Sequence, residues 1–299
     1  MDGLILIKKP PLVTSHDVVA QLRAIFVFKK IGHFGTLDPL ATGLLLVAVG
    51  KGTRFFPFFS KLDKVYQGRI RLGIATDTYD SAGVPMGEEC RQFPDIEDVR
   101  RTMHAFQGVI RQIPPPFSAK KFQGRPLYSL ARKNFRPELP ASQRIVHFFN
   151  LKSYAPPDLD FEVKCSSGTY VRALAHDLGL RLGCGAHLAE LIRTEIGDYR
   201  LADALCLEEI RIFFDKGQLE SFLHPLETFL PSLPKIVLAE SGRFLVQSGR
   251  PVSSENLAQP PPAAAGDTVF RLFSLDGRLI AMAKRGSSPS SFAPILVLS

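Results

Sequence analysis

A turn-rich segment that runs directly into an apolar stretch constrains this chain more than any other feature. It covers residues 31–54 and reads IGHFGTLDPLATGLLLVAVGKGTR. Glycines and Pro39 fix an irregular backbone around one carboxylate, Asp38, and Pro39 also biases Asp38 away from helical geometry. Residues 44–50 are apolar and typical of a buried strand. The pattern therefore predicts an acid at the end of a loop beside the core, where water is partly excluded and reactive carboxylates occur.

The surrounding motif separates this acid from an ordinary turn residue. An isolated Asp-Pro is more often a turn-capping aspartate than a reactive acid. The whole string, however, closely resembles the catalytic loop of the bacterial TruB-type tRNA pseudouridine synthases, which carry G-H-x-G-T-L-D-P-x-A-T-G. Other segments resemble further motifs of that family, namely residues 3–19, 64–83, 114–131 and 165–193. By this resemblance the chain is identified as a member of the family.

The resemblance implies a fold of the mixed α/β (α+β) class. Residues 1–230 would form a pseudouridine synthase domain with a largely antiparallel central sheet, in which residues 114–144 are an RNA-binding insertion. Residues 231–299 would form a small, β-rich, PUA-like RNA-binding domain. From the residues alone, an Asp-Gly hairpin signal within residues 269–283 indicates only a small β-rich unit.

Capping residues and apolar spacing predict the main elements. Ser15 is expected to cap a first helix, Asp95 to open a second, and Tyr170 to begin a third. The second helix is expected to bury one stripe of side chains, which consists of Ile96, Val99, Met103 and Phe106. Strands are predicted at residues 3–8, 66–74 and 161–165.

Positive charge is concentrated in parts of the chain. The net charge is +8, and residues 114–144 carry seven basic residues against one acidic residue. The same stretch holds four aromatic residues, Phe117, Phe122, Tyr128 and Phe135. Segregated charge suggests a polyanion partner, but basic surfaces are common on proteins that bind no nucleic acid, so charge alone leaves both interpretations open. Aromatic rings among cations suit RNA, because unpaired bases stack on rings while cations meet phosphates.

The resemblance assigns catalytic roles to three residues. Asp38 would act as nucleophile or base on a uridine that is flipped out of its stack. Arg172 would keep Asp38 ionised, because a nearby guanidinium favours the charged form of a carboxyl group. Tyr66 would stack on the uracil and assist its rearrangement. Without the motif, a surface arginine and a packed strand tyrosine would be the commoner interpretations.

The resemblance also assigns residues to substrate binding, namely His33, Asp80, Lys121, Tyr170, Leu191 and Arg193. His33 is expected to stack in the opened RNA loop, and Asp80 to lie near the flipped nucleotide. Tyr170 and Leu191 would line the base pocket, and Arg193 would lie at the rim of the site and contact phosphate. From the residues alone, a turn explains Asp80 equally well, and core packing explains Tyr170 and Leu191.

Together these features predict an isomerase that converts uridine to pseudouridine at position 55 in the T loop of tRNA. The isomerisation gains no atom and no redox equivalent, so neither a metal nor an organic cofactor is expected. Asp38 could add to C6 of the uracil, attack C1′ of the ribose, or remove a proton to give a glycal intermediate, and the sequence leaves all three open.

Two other functions remain as alternatives. The first is a noncatalytic RNA-binding or tRNA-folding protein on the same scaffold, against which the intact Asp38, Tyr66 and Arg172 argue. The second is a hydrolase with Asp38 as nucleophile, but the sequence offers neither a convincing second acid nor a Ser-His partner. The isomerase is the prediction that accounts for the whole motif.

The remaining composition bears on location and partners. Four cysteines lack Cys-x-x-Cys spacing, and the first residues include an acid and no basic leader. No apolar run approaches the ~20 residues that a membrane span needs. We therefore expect a cytoplasmic monomer that binds the T arm of tRNA and requires neither a membrane nor a protein partner.

Overall fold

The computed structural model describes residues 1–118, 120–131, 133, 135, 137–263, 268–286, 288 and 290–298, with the main chain only at 121, 126 and 128. The strands are β1 (Gly3–Lys9), β2 (Ile31–Phe34), β3 (Thr42–Val49), β4 (Lys64–Leu72), β5 (Ala75–Thr76), β6 (Pro85–Met86), β7 (Gly108–Gln112), β8 (Lys121–Phe122), β9 (Arg125–Pro126), β10 (Ser142–Ala155), β11 (Asp158–Cys165), β12 (Ala186–Ile196), β13 (Tyr199–Arg200), β14 (Lys235–Val237), β15 (Val252–Ser253), β16 (Val269–Phe273), β17 (Leu279–Arg285) and β18 (Ser291–Val297). The α-helices are α1 (Ser15–Phe26), α2 (Phe56–Phe59), α3 (Ile96–His104), α4 (Leu127–Ala131), α5 (Val171–Arg181), α6 (Leu207–Asp215) and α7 (Glu240–Gln247).

A large mixed sheet organises the first two thirds of the chain. Its strand order is β1-β3-β12-β4-β11-β10-β7, with β2 added beside β3 and β13 beside β12. The β12–β3 pair is parallel and the other pairs of this sheet are antiparallel. The predicted α/β class and largely antiparallel central sheet are therefore confirmed.

The close approach of β12 and β3 depends on a glycine. Gly43 pairs with Arg193 across the two strands and has φ +100°, in the left-handed region that side chains rarely adopt. A Cβ atom at Gly43 would lie 2.4 Å from the carbonyl oxygen of Arg193, which no real contact allows. The glycine that follows the Asp38 loop thus lets the loop end directly against the central strand.

Helix α1 fastens the Asp38 loop through its first turn. The predicted cap, Ser15, is wrong by one residue, because Thr14 accepts the N–H of Asp17 at 3.1 Å in a capping box. The Ser15 hydroxyl is instead buried and accepts the N–H of Leu37 at 2.9 Å. Ser15, predicted to cap the helix, therefore makes a tertiary contact to Leu37, the residue before Asp38.

The other predicted elements are present with shifted ends or faces. Asp95 caps α3 as expected, through the N–H of Asp98 at 2.7 Å. The predicted buried stripe is wrong at Ile96, which is 39 % exposed in the first turn, although Val99 and Met103 are buried. Strand β4 begins two residues before the predicted residue 66, and α5 follows Tyr170 as its N-cap.

A second sheet, with strand order β14-β16-β17-β18-β15, covers the end of the chain. The predicted hairpin is confirmed as β16 and β17. One apolar cluster joins this sheet to the first, since it contains Leu4 and Phe55 as well as Phe229, Leu279 and Met282. The boundary at residue 230 stays a prediction. In the described part of the chain, no helix is long and apolar enough to cross a membrane.

Candidate active site

A cleft of about 380 Å³ opens beside the loop between β2 and β3. Its volume lies within the ~300–1,000 Å³ range of small-ligand pockets. The lining contains residues from all of the predicted catalytic segments, including His33, Asp38, Tyr66, Tyr170, Arg172, Leu191 and Arg193. The large sheet therefore brings together motifs that lie more than a hundred residues apart in the sequence.

Asp38 and Arg172 form an ion pair in this cleft. Arg172 Nε lies 2.8 Å from Asp38 Oδ2, and 41 % of the Asp38 side-chain surface remains exposed, whereas Arg172 is buried. The Nε–H does not point at the oxygen, so the contact is an ion pair rather than a well-aligned hydrogen bond. The carboxylate is therefore held from one side and open to a ligand on the other.

The pKa of Asp38 reflects two opposing influences. Burial in the cleft raises the pKa of this carboxyl above its ordinary value, and the guanidinium of Arg172 partly offsets that rise. The carboxylate of Asp80 adds a smaller upward influence. Asp38 is thus a more basic carboxylate than an exposed aspartate, and Arg172 opposes its protonation.

Arg172 is fixed by three further acceptors. Its Nη1 donates to Asp80 Oδ2 at 3.2 Å and to the carbonyl of Thr78 at 3.1 Å. Its Nη2 donates to the carbonyl of Phe117 at 3.0 Å. Because these acceptors surround a planar fork, the guanidinium has little freedom to leave Asp38.

Asp80 lies behind Arg172 rather than on the cleft wall. It is buried, and its Oδ1 accepts from the Thr78 hydroxyl at 2.6 Å and from the N–H of Ala82 at 3.1 Å. The turn bonds expected of such an aspartate are therefore present, together with the contact to Arg172. In this arrangement Asp80 acts on Asp38 both by holding Arg172 and by its own charge.

The structure corrects the predicted position of Arg193. This residue is 1 % exposed, so it belongs to the buried part of the cleft lining instead of the rim. Its guanidinium donates to the carbonyl groups of Leu44 at 2.8 Å and Gly35 at 3.0 Å, which belong to strand β3 and the Asp38 loop. The reason is the register of the sheet, which sets Arg193 between Gly43 and Tyr66 on the two neighbouring strands.

Tyr66 lies on the floor of the cleft. Burial raises the pKa of its phenol, and the positive charge of nearby Arg193 partly offsets this effect. The phenol therefore stays protonated at neutral pH. Leu191 is buried in the same lining, and Tyr170 exchanges main-chain hydrogen bonds of 2.8 and 3.0 Å with the amide of Gln112.

His33 and Lys121 complete the predicted set. His33 lines the cleft, burial lowers its pKa, and its Nδ1 is a buried atom without a hydrogen-bond partner in the described structure. Lys121 begins β8, but its side chain lies outside the described part of the protein. The neighbouring Lys120 does line the cleft.

Two buried lysines beside the Asp38 loop and the cleft were not predicted. Lys9 is buried and donates to the carbonyls of Val13 at 2.7 Å and Pro39 at 3.3 Å, so it supports the loop directly after Asp38. Lys64 is also buried. Burial lowers the pKa of each ammonium to about 8. Five consecutive buried residues precede Lys8 in β1, so the strand shows no alternation that could have indicated buried Lys9 from the sequence.

The arrangement offers one open carboxylate, one fixed cation and one neutral phenol. Such a set suits a carboxylate that attacks or deprotonates a ligand while the guanidinium balances its charge. Among the described residues, no group of three or more His, Cys, Asp or Glu side chains is placed to hold a metal ion.

Comparison with known proteins agrees with the motifs in the cleft. Profiles described as the TruB family pseudouridylate synthase N-terminal domain and the tRNA pseudouridylate synthase B C-terminal domain match residues 23–171 and 172–231. The chain is 41 % identical over 290 residues to tRNA pseudouridine synthase B of Moorella thermoacetica, covering 94 % of this chain and 93 % of the relative.

Two further comparisons extend the similarity along the chain. It is 36 % identical over 309 aligned residues to tRNA pseudouridine synthase B of Pelotomaculum thermopropionicum, covering 100 % of this chain and 98 % of the relative. Among solved structures, the crystal structure of a Cbf5-Nop10-Gar1 complex has a TM-score of 0.76 at 27 % identity, covering 98 % of this chain and 83 % of that chain.

Proposed function

The chain belongs to the TruB family of pseudouridylate synthases, and we propose that it isomerises a uridine of tRNA to pseudouridine with Asp38 as the reacting carboxylate. The proposed target is the uridine at position 55 in the T loop. The observation that carries the proposal is the half-open Asp38 carboxylate, paired with Arg172 at 2.8 Å within a cleft that can admit a nucleoside.

The reaction exchanges one bond for another within the nucleotide. The bond between N1 and C1′ breaks, a bond between C5 and C1′ forms, C5 loses its proton, and N1 gains one. Asp38 starts this exchange by adding to C6, attacking C1′, or removing a proton from the ribose. In each route the carboxylate loses its negative charge, because it either bonds to carbon or accepts a proton. Arg172 keeps Asp38 ionised before that step.

The cleft requires that the uridine leaves its stack. A base inside a folded RNA loop cannot reach a carboxylate at the bottom of a protein cleft, so the nucleotide must be extruded at a cost of a few kcal/mol. Tyr66 offers a ring on the floor that can stack on the uracil. His33 and Tyr170 line the same cleft and are proposed to contact the RNA around the extruded nucleotide.

The direct test uses the full chain and unmodified tRNA. Incubation followed by nucleotide-resolution mapping of pseudouridine is expected to show modification at position 55 alone. Tight binding of tRNA without any pseudouridine would instead support the noncatalytic alternative. We also propose a cytoplasmic monomer that needs no protein partner, and sedimentation of the purified chain during turnover would test this state.

The rate of pseudouridine formation is expected to fall on acidification at a pH above the ordinary aspartate range. The reaction needs ionised Asp38, and burial raises the pKa of this group above the usual value near ~3.9. As the pH falls through that raised pKa, the reactive form is lost. Single-turnover rates measured at decreasing pH would give the pH at which the rate falls to half. A midpoint at or below the ordinary aspartate pKa would contradict the expectation.

Residues 114–144 are proposed to bind RNA chiefly by charge. Lys120 lines the cleft and Arg125 is exposed in β9. Replacing both with alanine is expected to weaken tRNA binding and to flatten its salt dependence, by roughly 0.7–0.9 in the log–log slope per lost phosphate contact. Binding titrations at several salt concentrations would measure the slope, and an unchanged slope would contradict a charged contact.

A further inference from the structure

One aromatic ring in the cleft has no catalytic or structural assignment. Phe56 is 52 % exposed, yet it lines the cleft together with His33 and Ser60. A ring that is half in water contributes only part of the stabilisation that full burial would give. Its exposure on a concave functional surface therefore points to a ligand.

The segment that carries Phe56 is held firmly. Phe56 begins helix α2, Pro57 follows it, and the N–H of Ser60 donates to the carbonyl of Phe56 at 2.9 Å. Buried Lys64 donates to the carbonyls of Ser60 at 3.2 Å and Leu62 at 2.6 Å. The hydroxyl of Ser167 also donates to the Ser60 carbonyl.

The ring itself rests on the core. Its centroid lies 6.1 Å from that of Phe34, with the planes tilted by 56°. Phe34 is buried and stacks in turn on Phe59 at 4.6 Å. Phe56 is therefore ordered before any ligand arrives, and little conformational freedom is lost when a second ring stacks on it.

We propose that Phe56 is a stacking platform for an unpaired base of the substrate RNA, next to the uridine that reacts. This inference rests on the proposed function. The reacting base must reach Asp38 and the buried ring of Tyr66, whereas half-exposed Phe56 lies nearer to solvent. Extrusion of one base leaves neighbours in the loop without their stacking partners, and every base has a face that an aromatic ring can cover.

Removal of the ring is expected to weaken RNA binding without affecting the chemical step. Phe56→Ala should raise the Kd for a T-arm stem-loop roughly 5- to 150-fold, which corresponds to the ~1–3 kcal/mol of one base–aromatic stack. The salt slope should stay that of the wild type, because no phosphate contact is lost. The single-turnover rate with saturating RNA should change little, since Phe56 does not touch the reacting atoms.

Conservative variants separate stacking from packing. Phe56→Tyr keeps an aromatic face and is expected to bind nearly as the wild type, whereas Phe56→Leu keeps an apolar side chain and should lose most of the affinity. Ile212→Ala, which shortens an exposed apolar side chain on α6 away from the cleft, serves as the control. Thermal unfolding of each variant would show that the fold is retained.

Photochemical crosslinking gives an independent readout. Stem-loop RNAs with 5-iodouridine at one loop position at a time, excluding the target uridine, would be irradiated with the full chain and the crosslinked peptide sequenced. We expect one loop position to crosslink to Phe56. Crosslinks that avoid Phe56, or equal affinities of Phe56→Leu and wild type, would overturn the inference. Failure of the wild type to form pseudouridine would instead overturn the proposed function.

Discussion

Asp38→Asn is expected to abolish pseudouridine formation while the protein still folds and binds tRNA. The amide keeps the size and polarity of the carboxylate but can neither attack carbon nor accept the proton. Loss of a positioned acid–base group costs ~10²–10⁴-fold, and loss of a nucleophile that forms a covalent intermediate removes the route altogether. Binding should persist, because Asp38 is one group within a large cleft.

Single-turnover mapping of pseudouridine would measure this loss, and a tRNA binding titration would run beside it. Asp215→Asn serves as the control, because it removes one carboxylate at the exposed end of α6, away from the cleft. Asp215 Oδ2 lies 3.9 Å from Arg211 Nε. A rate for Asp38→Asn within about tenfold of the wild type would exclude Asp38 as the reacting group.

Arg172→Lys is expected to lower the single-turnover rate by ~10²-fold, although the charge is unchanged. The guanidinium contacts the carboxylates of Asp38 and Asp80 and the carbonyls of Thr78 and Phe117. A lysine ammonium is a point charge on a flexible stem, so it cannot reach all four acceptors together. Some buried acceptors would lose their donor, and the Asp38 carboxylate would lose its fixed orientation.

The pH dependence distinguishes this role from a purely structural one. Arg172 lowers the pKa of Asp38, so weakening the contact should raise that pKa further. The acid limb of the rate profile should then move to higher pH than in the wild type. Arg181→Lys, on the same helix with its guanidinium 4.0 Å from the Phe106 ring centroid, is the matched control. An unshifted limb with an unchanged rate would show that Arg172 acts elsewhere.

The Asp38 loop could be predicted because its signals are local, whereas the class of the fold was implied by the resemblance of its motifs to a known family. A turn-rich stretch followed by buried β3 is readable from glycine, proline and apolar spacing. What the sequence could not provide was the direction of side chains in the assembled sheet. The resemblance predicts that Arg193 lies at the rim of the active site. The register of the sheet sets Arg193 between Gly43 and Tyr66 and buries it against the Asp38 loop.

The partners of Arg172 were unpredictable for a related reason. Two of them are main-chain carbonyls, at Thr78 and Phe117, and every residue carries a carbonyl. Only the packing of distant segments decides which carbonyl faces the guanidinium. Ser15 shows the same limit, since the helix-cap pattern gave no sign of its bond to Leu37.

The apolar cluster that joins the two sheets has a consequence for denaturation. Phe229, next to the predicted boundary, belongs to the same cluster as Leu4 of the first sheet and Met282 of the second, and its ring centroid lies 4.9 Å from that of Phe55. When one core serves two sheets, neither can melt without exposing apolar surface of the other. Heating should therefore produce a single cooperative transition in which the cleft and the C-terminal sheet are lost together, and calorimetry would show one peak with matching calorimetric and van't Hoff enthalpies.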